Sequence, residues 1–174
     1  MDQIKKFINF HYLGFILLTQ LSCNQAPQVD GKNSPATKTD SYVFHVGDKP
    51  IHAELAILPK ESETGLMFRD KLEPGTGMLF VFKDATPRKF WMKNTRIPLD
   101  IGYFNENGIL KEIYAAKPFD KTGVPSKSKN IQFVLELNKN DYRTQGIQIG
   151  DRINLDDVKR AISARNLNPK DYIN

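Results

Sequence analysis

From Tyr42 to Leu137 the chain is a succession of short apolar runs divided by turn-forming residues, a pattern that restricts it to a β-rich fold. Ile51-His52-Ala53-Glu54-Leu55-Ala56-Ile57 alternates as a half-buried strand does, and Tyr42 to Val46 with Gly47-Asp48-Lys49-Pro50 predicts a strand and the turn into it. Further strands are predicted at 77–82, 88–93, 98–104, 109–115 and 131–137. Asn105-Glu106-Asn107-Gly108 reads as a hairpin turn, since Asn-Gly favours the positive φ such turns use. Pro59 ends the first strand pair, and Ser62 is expected to cap a short helix through Gly65 to Arg69. A terminal helix is predicted at 156–166, with Asp156 as its cap and Val158, Ala161 and Ile162 on one face.

About 134 residues follow Asp40, enough for one domain with a single core. The chain has one cysteine, so no disulfide can form within it and the fold must rest on packing. That cysteine, Cys23, closes a segment in which Lys5 and Lys6 precede an apolar stretch from Phe7 to Leu21. Asn9, His11, Thr19 and Gln20 interrupt the stretch, whereas a spanning helix needs roughly 20 apolar residues. Residues 1–22 therefore read as an export signal. An unpaired cysteine at this junction resembles the lipobox of bacterial lipoproteins, although Gln20 stands where leucine is usual. Lipidation of Cys23 would tether the protein to a membrane. Residues 24–40 carry many turn formers and one strong hydrophobe, the composition of a flexible leash. The expected organisation is a signal at 1–22, a lipidated cysteine and linker at 23–40, a β-rich domain at 41–155, and a helix and tail at 156–174.

The formal charge is +5, a balance compatible with anionic headgroups or acidic envelope polymers. Nucleic acid is excluded as an expected partner, because an exported chain seldom meets it and neither zinc-finger nor RRM signatures occur.

Several motifs occur in order: Gly65-Leu66-Met67-Phe68-Arg69, Gly77-Met78-Leu79-Phe80-Val81-Phe82, Phe90-Trp91-Met92-Lys93-Asn94-Thr95, Ile97-Pro98-Leu99-Asp100-Ile101, Val134-Leu135-Glu136-Leu137, Gly146-Ile147 and Gly150-Asp151. In these the sequence resembles the domain-of-unknown-function family 192, small exported or membrane-tethered proteins of bacteria and archaea. The resemblance covers roughly residues 41–155 and implies a compact, barrel-like sheet with a few short helices. It implies little chemistry. Asn140 stands where the family pattern usually has glycine, and asparagine tolerates left-handed backbone better than most residues.

The densest mixture of residue types is Phe90 to Asp100, which holds the only tryptophan. Strand alternation puts Trp91 and Lys93 on one face and Phe90, Met92 and Asn94 on the other. Asn94 and Thr95, just before Ile97-Pro98, also suit the satisfaction of turn backbone groups. Asp100 and Glu136 each sit among apolar neighbours; a buried acid needs a partner, and Arg69 is the expected one. The expected ligand-binding residues are Arg69, Trp91, Asn94, Thr95, Asp100 and Glu136. Lys83, Arg88, Lys89, Lys93 and Arg96 around Trp91, and the loop Lys117 to Asn130 read as a mobile flap, point to a small anionic or sugar-like envelope ligand. Two alternatives stand beside this. One is hydrolysis of an envelope polymer with Asp100 and Glu136 as paired acid and base. The other is a structural partnership with another envelope protein. His45 and His52 could face each other across the first hairpin, a thin metal site. No cofactor is expected; Met67, Met78 and Met92 would suit Cu(I), although methionine is more commonly core filler.

Overall fold

The computed structural model describes residues 40–173. The expected signal, Cys23 and the leash lie outside the described residues. The elements in chain order are β1 (Ser41–Val46), β2 (Lys49–Ala56), α1 (Pro59–Thr64), β3 (Thr76–Thr86), β4 (Lys89–Phe90), β5 (Leu99–Asn105), β6 (Leu110–Ala116), β7 (Val124–Pro125), β8 (Ile131–Asn138), α2 (Asp141–Gln145), α3 (Leu155–Ala164) and a 3-10 turn at Pro169–Asp171. Six strands form one sheet in the order β1-β2-β3-β8-β5-β6, and β4 pairs with β7 in a small second sheet. Only β2 and β3 run parallel, joined by the crossover that contains α1; the other neighbours are antiparallel.

The fold is thus mainly β with short helices, but the expected barrel does not close among the described residues. β1 and β6 are the sheet edges. Residues 150–154 lace them together through single bridges: Asn154 N donates to His45 O (2.7 Å), and Ile153 N to Gly108 O (2.9 Å). A lacing segment of this kind leaves no strand ladder between the edges, which a barrel requires.

Both faces of the sheet are covered. On one, Phe44, Ile51, Leu55, Leu79, Phe133 and Leu135 pack against Tyr142 and against Val158, Ala161 and Ile162 of α3. On the other, Met78, Phe80, Ile101, Tyr103 and Val134 pack against Leu66, Met92 and Ile97 of the loops. The inner strand β5, between β8 and β6, is buried along its whole length. Tyr142 explains one sequence constraint. Its hydroxyl donates to Leu135 O (2.8 Å) and lies 2.1 Å from where a Cβ on Gly102 would stand.

The expected helix at Ser62 instead begins at Pro59, whose fixed φ suits a first helical position, and Gly65 follows its end. Asn154, not Asp156, caps α3; its side chain accepts from Asp156 N (2.9 Å) and Asp157 N (3.3 Å). The hairpin at 105–108 forms, but only Gly108 has positive φ, with the register offset of a bulge beside it. His45 does not face His52: it lies opposite Pro50, and its Nδ1 and backbone N both meet Asp157 (2.8 Å each). Asn140 is left-handed (φ 74°), as its substitution for glycine requires.

The loop after β6 is not a free flap. β7 pairs with β4, Tyr103 donates its hydroxyl to Val124 O (2.5 Å), and Glu112 accepts from Lys127 N (2.8 Å), Ser128 N (2.6 Å) and the Tyr114 hydroxyl (2.7 Å). Burial pushes the Glu112 carboxyl up, but the hydrogen bonds from Ser128, Lys127 and Tyr114 outweigh it and hold it at about 2.

Two outcomes follow from this packing. Gly102→Ala should lower stability by about 1–3 kcal/mol, read as a drop in the denaturant midpoint, since the new methyl overlaps Tyr142. Glu112 is more acidic folded than unfolded, so its stabilisation is complete above pH 4.5 and is lost as pH falls towards 2. Glu112→Gln should melt below the parent at neutral pH, with the gap closing across that window; a constant gap would refute the assignment.

Candidate functional site

The signature run begins as strand and stops being one. β4 covers only Lys89 and Phe90, where Phe90 packs edge-on against Phe80 (ring centroids 4.8 Å) and Tyr103 (6.1 Å). The chain then turns: Thr95 N donates to Met92 O (3.1 Å), with Asn94 at the left-handed third position (φ 55°). Asparagine suits that position because it tolerates positive φ. Strand alternation therefore ends at Trp91. Met92 is buried, while Trp91 is 46% exposed, with the Lys93 ammonium 5.0 Å from its ring centroid.

The turn is stitched to two neighbouring loops by main-chain bonds. Phe68 N donates to Asn94 O (2.9 Å), Phe119 N to Thr95 O (3.0 Å), and Met92 N to Asp120 O (2.8 Å). Arg96 adds an ion pair to Asp70 (2.5 Å). Asn94 and Thr95 thus act largely through their backbones, as turn residues do.

Beneath this rim is a narrow slot of about 30 Å³ whose walls include Met67, Phe80, Phe90, Trp91 and Thr95. Glu136 also lines it. Strand register fixes where that acid points: Glu54, Met78, Glu136, Ile101 and Tyr114 form one row across β2, β3, β8, β5 and β6, on the face that carries the slot. Glu136 is only 5% exposed and has no hydrogen-bond or ion-pair partner among the described residues. Burial alone raises its carboxyl to about 8, so at neutral pH it is mostly protonated, a donor as well as an acceptor.

Three of the expected site residues, Trp91, Thr95 and Glu136, meet at this slot. The others do not. Arg69 does not pair with Asp100 or Glu136; its two terminal nitrogens meet the two carboxylate oxygens of Glu54, and its buried Nε has no hydrogen-bond partner. Asp100 is one residue out of Glu136's row (Ile101 is Glu136's partner) and so faces the opposite side of the sheet. There it accepts from Asn140 N (2.7 Å), holding the left-handed turn, and lines an open groove with Ile113, Tyr142 and Arg143. Asp100 and Glu136 therefore share no pocket and cannot work as a pair. Two of the basic residues are drawn elsewhere. Arg88 pairs with Asp84 and stacks 3.9 Å over Phe82, and Lys83 lies over Tyr172. Met78 and Met92 are core filler of the second layer; Met67 alone of the three lines the slot without being fully buried.

Apart from Met67, raised only as a Cu(I) ligand, sequence reasoning missed the other wall of the slot, residues 62–67, which includes the exposed carboxylate Glu63. It also missed Phe68 and Phe119, exposed beside the turn. Nothing in a linear reading links those two loops to the turn, because main-chain bonds make the link.

No curated protein matches the chain. Solved structures that resemble it include the following two. One, from Sinorhizobium meliloti and described as a "putative transcription regulator", is 33% identical, with a TM-score of 0.61 over 66% of this chain and 92% of that one. The other, a Novosphingobium aromaticivorans protein of unknown function, is 31% identical, with a TM-score of 0.64 over 69% of this chain and 89% of that one. The model of family DUF192, described as an uncharacterized ACR, matches residues 42–155, which are β1 to the start of α3. With its signature turn, slot and sheet all inside that match, the chain belongs to the DUF192 family.

Proposed function

We propose that this domain is a membrane-tethered binding module of the bacterial cell envelope that holds a small, sugar-like, hydroxyl-bearing ligand at the Trp91–Glu136 slot. The observation that carries the reading is the unpartnered, nearly buried carboxyl of Glu136. A protonated carboxyl lining a slot of mixed polar and apolar walls can both give and take a hydrogen bond, which matches a hydroxyl or amide on a ligand edge. Trp91 at the rim supplies an exposed ring face for the ligand body, and Thr95 lines the wall between them. A neutral ligand edge fits this slot better than an anion, because Arg69 is committed to Glu54 and among the described residues no Lys or Arg lines the slot. The slot is small, so it takes one substituent while the remainder of the ligand lies across the rim. The tether is the lipid on Cys23, and Cys23→Ser should abolish labelling by a fatty-acid analogue.

A hydrolase is the second reading, favoured by one observation: an acid that keeps its proton near neutrality is what a general acid needs. Its second carboxylate would be Glu63, which lines the same slot, in place of Asp100.

Glu136→Gln keeps a neutral donor and acceptor, whereas Glu136→Leu removes both. Titrating a panel of mono- and disaccharides against Trp91 emission should give retained binding in the first variant and a loss of about tenfold or more in the second. Equal binding by both would remove Glu136 from the site; turnover of a glycan lost in Glu136→Gln would support the hydrolase instead.

The same carboxyl gives a stability test. It is less acidic folded than unfolded, so the folded state loses stability as pH rises from 4.5 to about 8 and then levels off. Glu136→Gln should melt above the parent, with a gap that widens across that window. A gap that stays constant between pH 5 and 9 would show that the group is not buried as described.

A further inference from the structure

Phe68, Trp91 and Phe119 are 60%, 46% and 58% exposed, and all three flank one turn. Their proximity follows from main-chain bonds: the Phe68 amide reaches Asn94 O, the Phe119 amide reaches Thr95 O, and Trp91 immediately precedes the turn. The two phenylalanines also have left-handed backbones, with φ of 64° and 62°. Bulky side chains are rarely found there, because Cβ crowds the backbone. The loops therefore accept local strain at two positions and use it to hold bare aromatic rings in water, contrary to what folding alone would favour.

Clustered exposed aromatics mark an interaction surface, and the surrounding charge identifies its partner. Lys89, Lys93, Lys117 and Lys121 are exposed on the two segments that carry Trp91 and Phe119, 88–96 and 117–123, where Asp120 is the only acid; the segment of Phe68 adds the exposed acids Glu63 and Asp70, and Asp70 is paired with Arg96. Asp120 is already engaged by Thr122 N (2.8 Å). Phenylalanine carries no polar group with which to orient a sugar or a peptide, whereas rings among lysines match the boundary between acyl chains and anionic headgroups. Among the described residues no helix is long and apolar enough to cross a membrane, so any contact these residues make with a bilayer by helix is peripheral.

We infer that Phe68, Trp91 and Phe119, with their collar of lysines, form a docking surface for an anionic lipid bilayer. The rings enter the headgroup boundary, and the lysines meet lipid phosphates. This surface shares Trp91 with the rim of the slot but makes no use of the Glu136 carboxyl, and it does not depend on the slot's being filled. It would turn the mouth of the slot towards the membrane.

Trp91 is the only tryptophan in the chain, so its emission reports this surface and not the apolar N-terminal segment. The full chain is mixed with vesicles of equal parts phosphatidylcholine and phosphatidylglycerol, and separately with phosphatidylcholine alone. The expected result is a blue shift with the anionic vesicles that weakens with added salt. Phe68→Asn with Phe119→Asn keeps residues that tolerate left-handed backbone, so the melting temperature should not fall while the lipid concentration needed for the blue shift rises by about tenfold or more. Glu136→Leu should leave the vesicle response intact although it weakens the saccharide response by about tenfold or more. The inference is overturned if emission stays unchanged while the chain floats with the vesicles, if the shift survives the double phenylalanine variant, or if Glu136→Leu removes it.

Discussion

From Phe133 onward, β8 sends alternate side chains into two separate apolar layers, so each face of the sheet needs its own cover. One cover is regular: α3 and Tyr142 lie over Phe133 and Leu135. The other is assembled from loops, with Leu66, Met92 and Ile97 brought down over Phe80, Ile101 and Val134. A loop cover has main-chain groups to satisfy, which explains the dense stitching around Met92 to Thr95 and the pinning of the 124–128 segment by Glu112. The functional features arise on that second face because loops leave a gap where a helix would have sealed it.

The acids of this domain make the gap legible. Asp157 receives His45 and Arg160, Asp100 receives a backbone amide, Glu112 receives three donors, and Glu54 receives Arg69. Each is wholly or partly buried at a cost that its partners offset. Glu136 is the exception, an acid deep in an apolar layer whose burial is relieved only by keeping its proton. Stability by itself would favour a leucine or methionine there, and departures of that kind concentrate where a protein binds or reacts. The left-handed phenylalanines on the rim are a second departure on the same face, and the two together separate this side of the sheet from the regularly packed one.

Much of the strand order in the chain was visible as alternation, and the turn chemistry of Gly108, Asn140 and Pro59 was readable because each position needs a particular backbone. Boundaries moved where a tertiary partner decided them. The 88–93 run stopped being a strand after Phe90 because the Met92–Thr95 turn bonds to two other loops instead of to a neighbouring strand. Closure into a barrel was expected from resemblance; it fails because residues 150–154 span the sheet edges with lone bridges. Arg69 was recognised as a partner for a buried acid, but its acid is Glu54, two strands along the same row from Glu136.

Composition and pattern alone determined that this chain must build a β-rich domain without disulfides, and that its unusual chemistry lies around Trp91. Local propensity and side-chain alternation act over a few residues, so a linear reading reaches that far. Asp100 and Glu136 look alike in such a reading, each a single acid on an apolar strand. Only the tertiary structure separated them, because a one-residue difference in register sends one to each face of the sheet. It gave Asp100 a backbone amide to hold and left Glu136 alone at the floor of the slot.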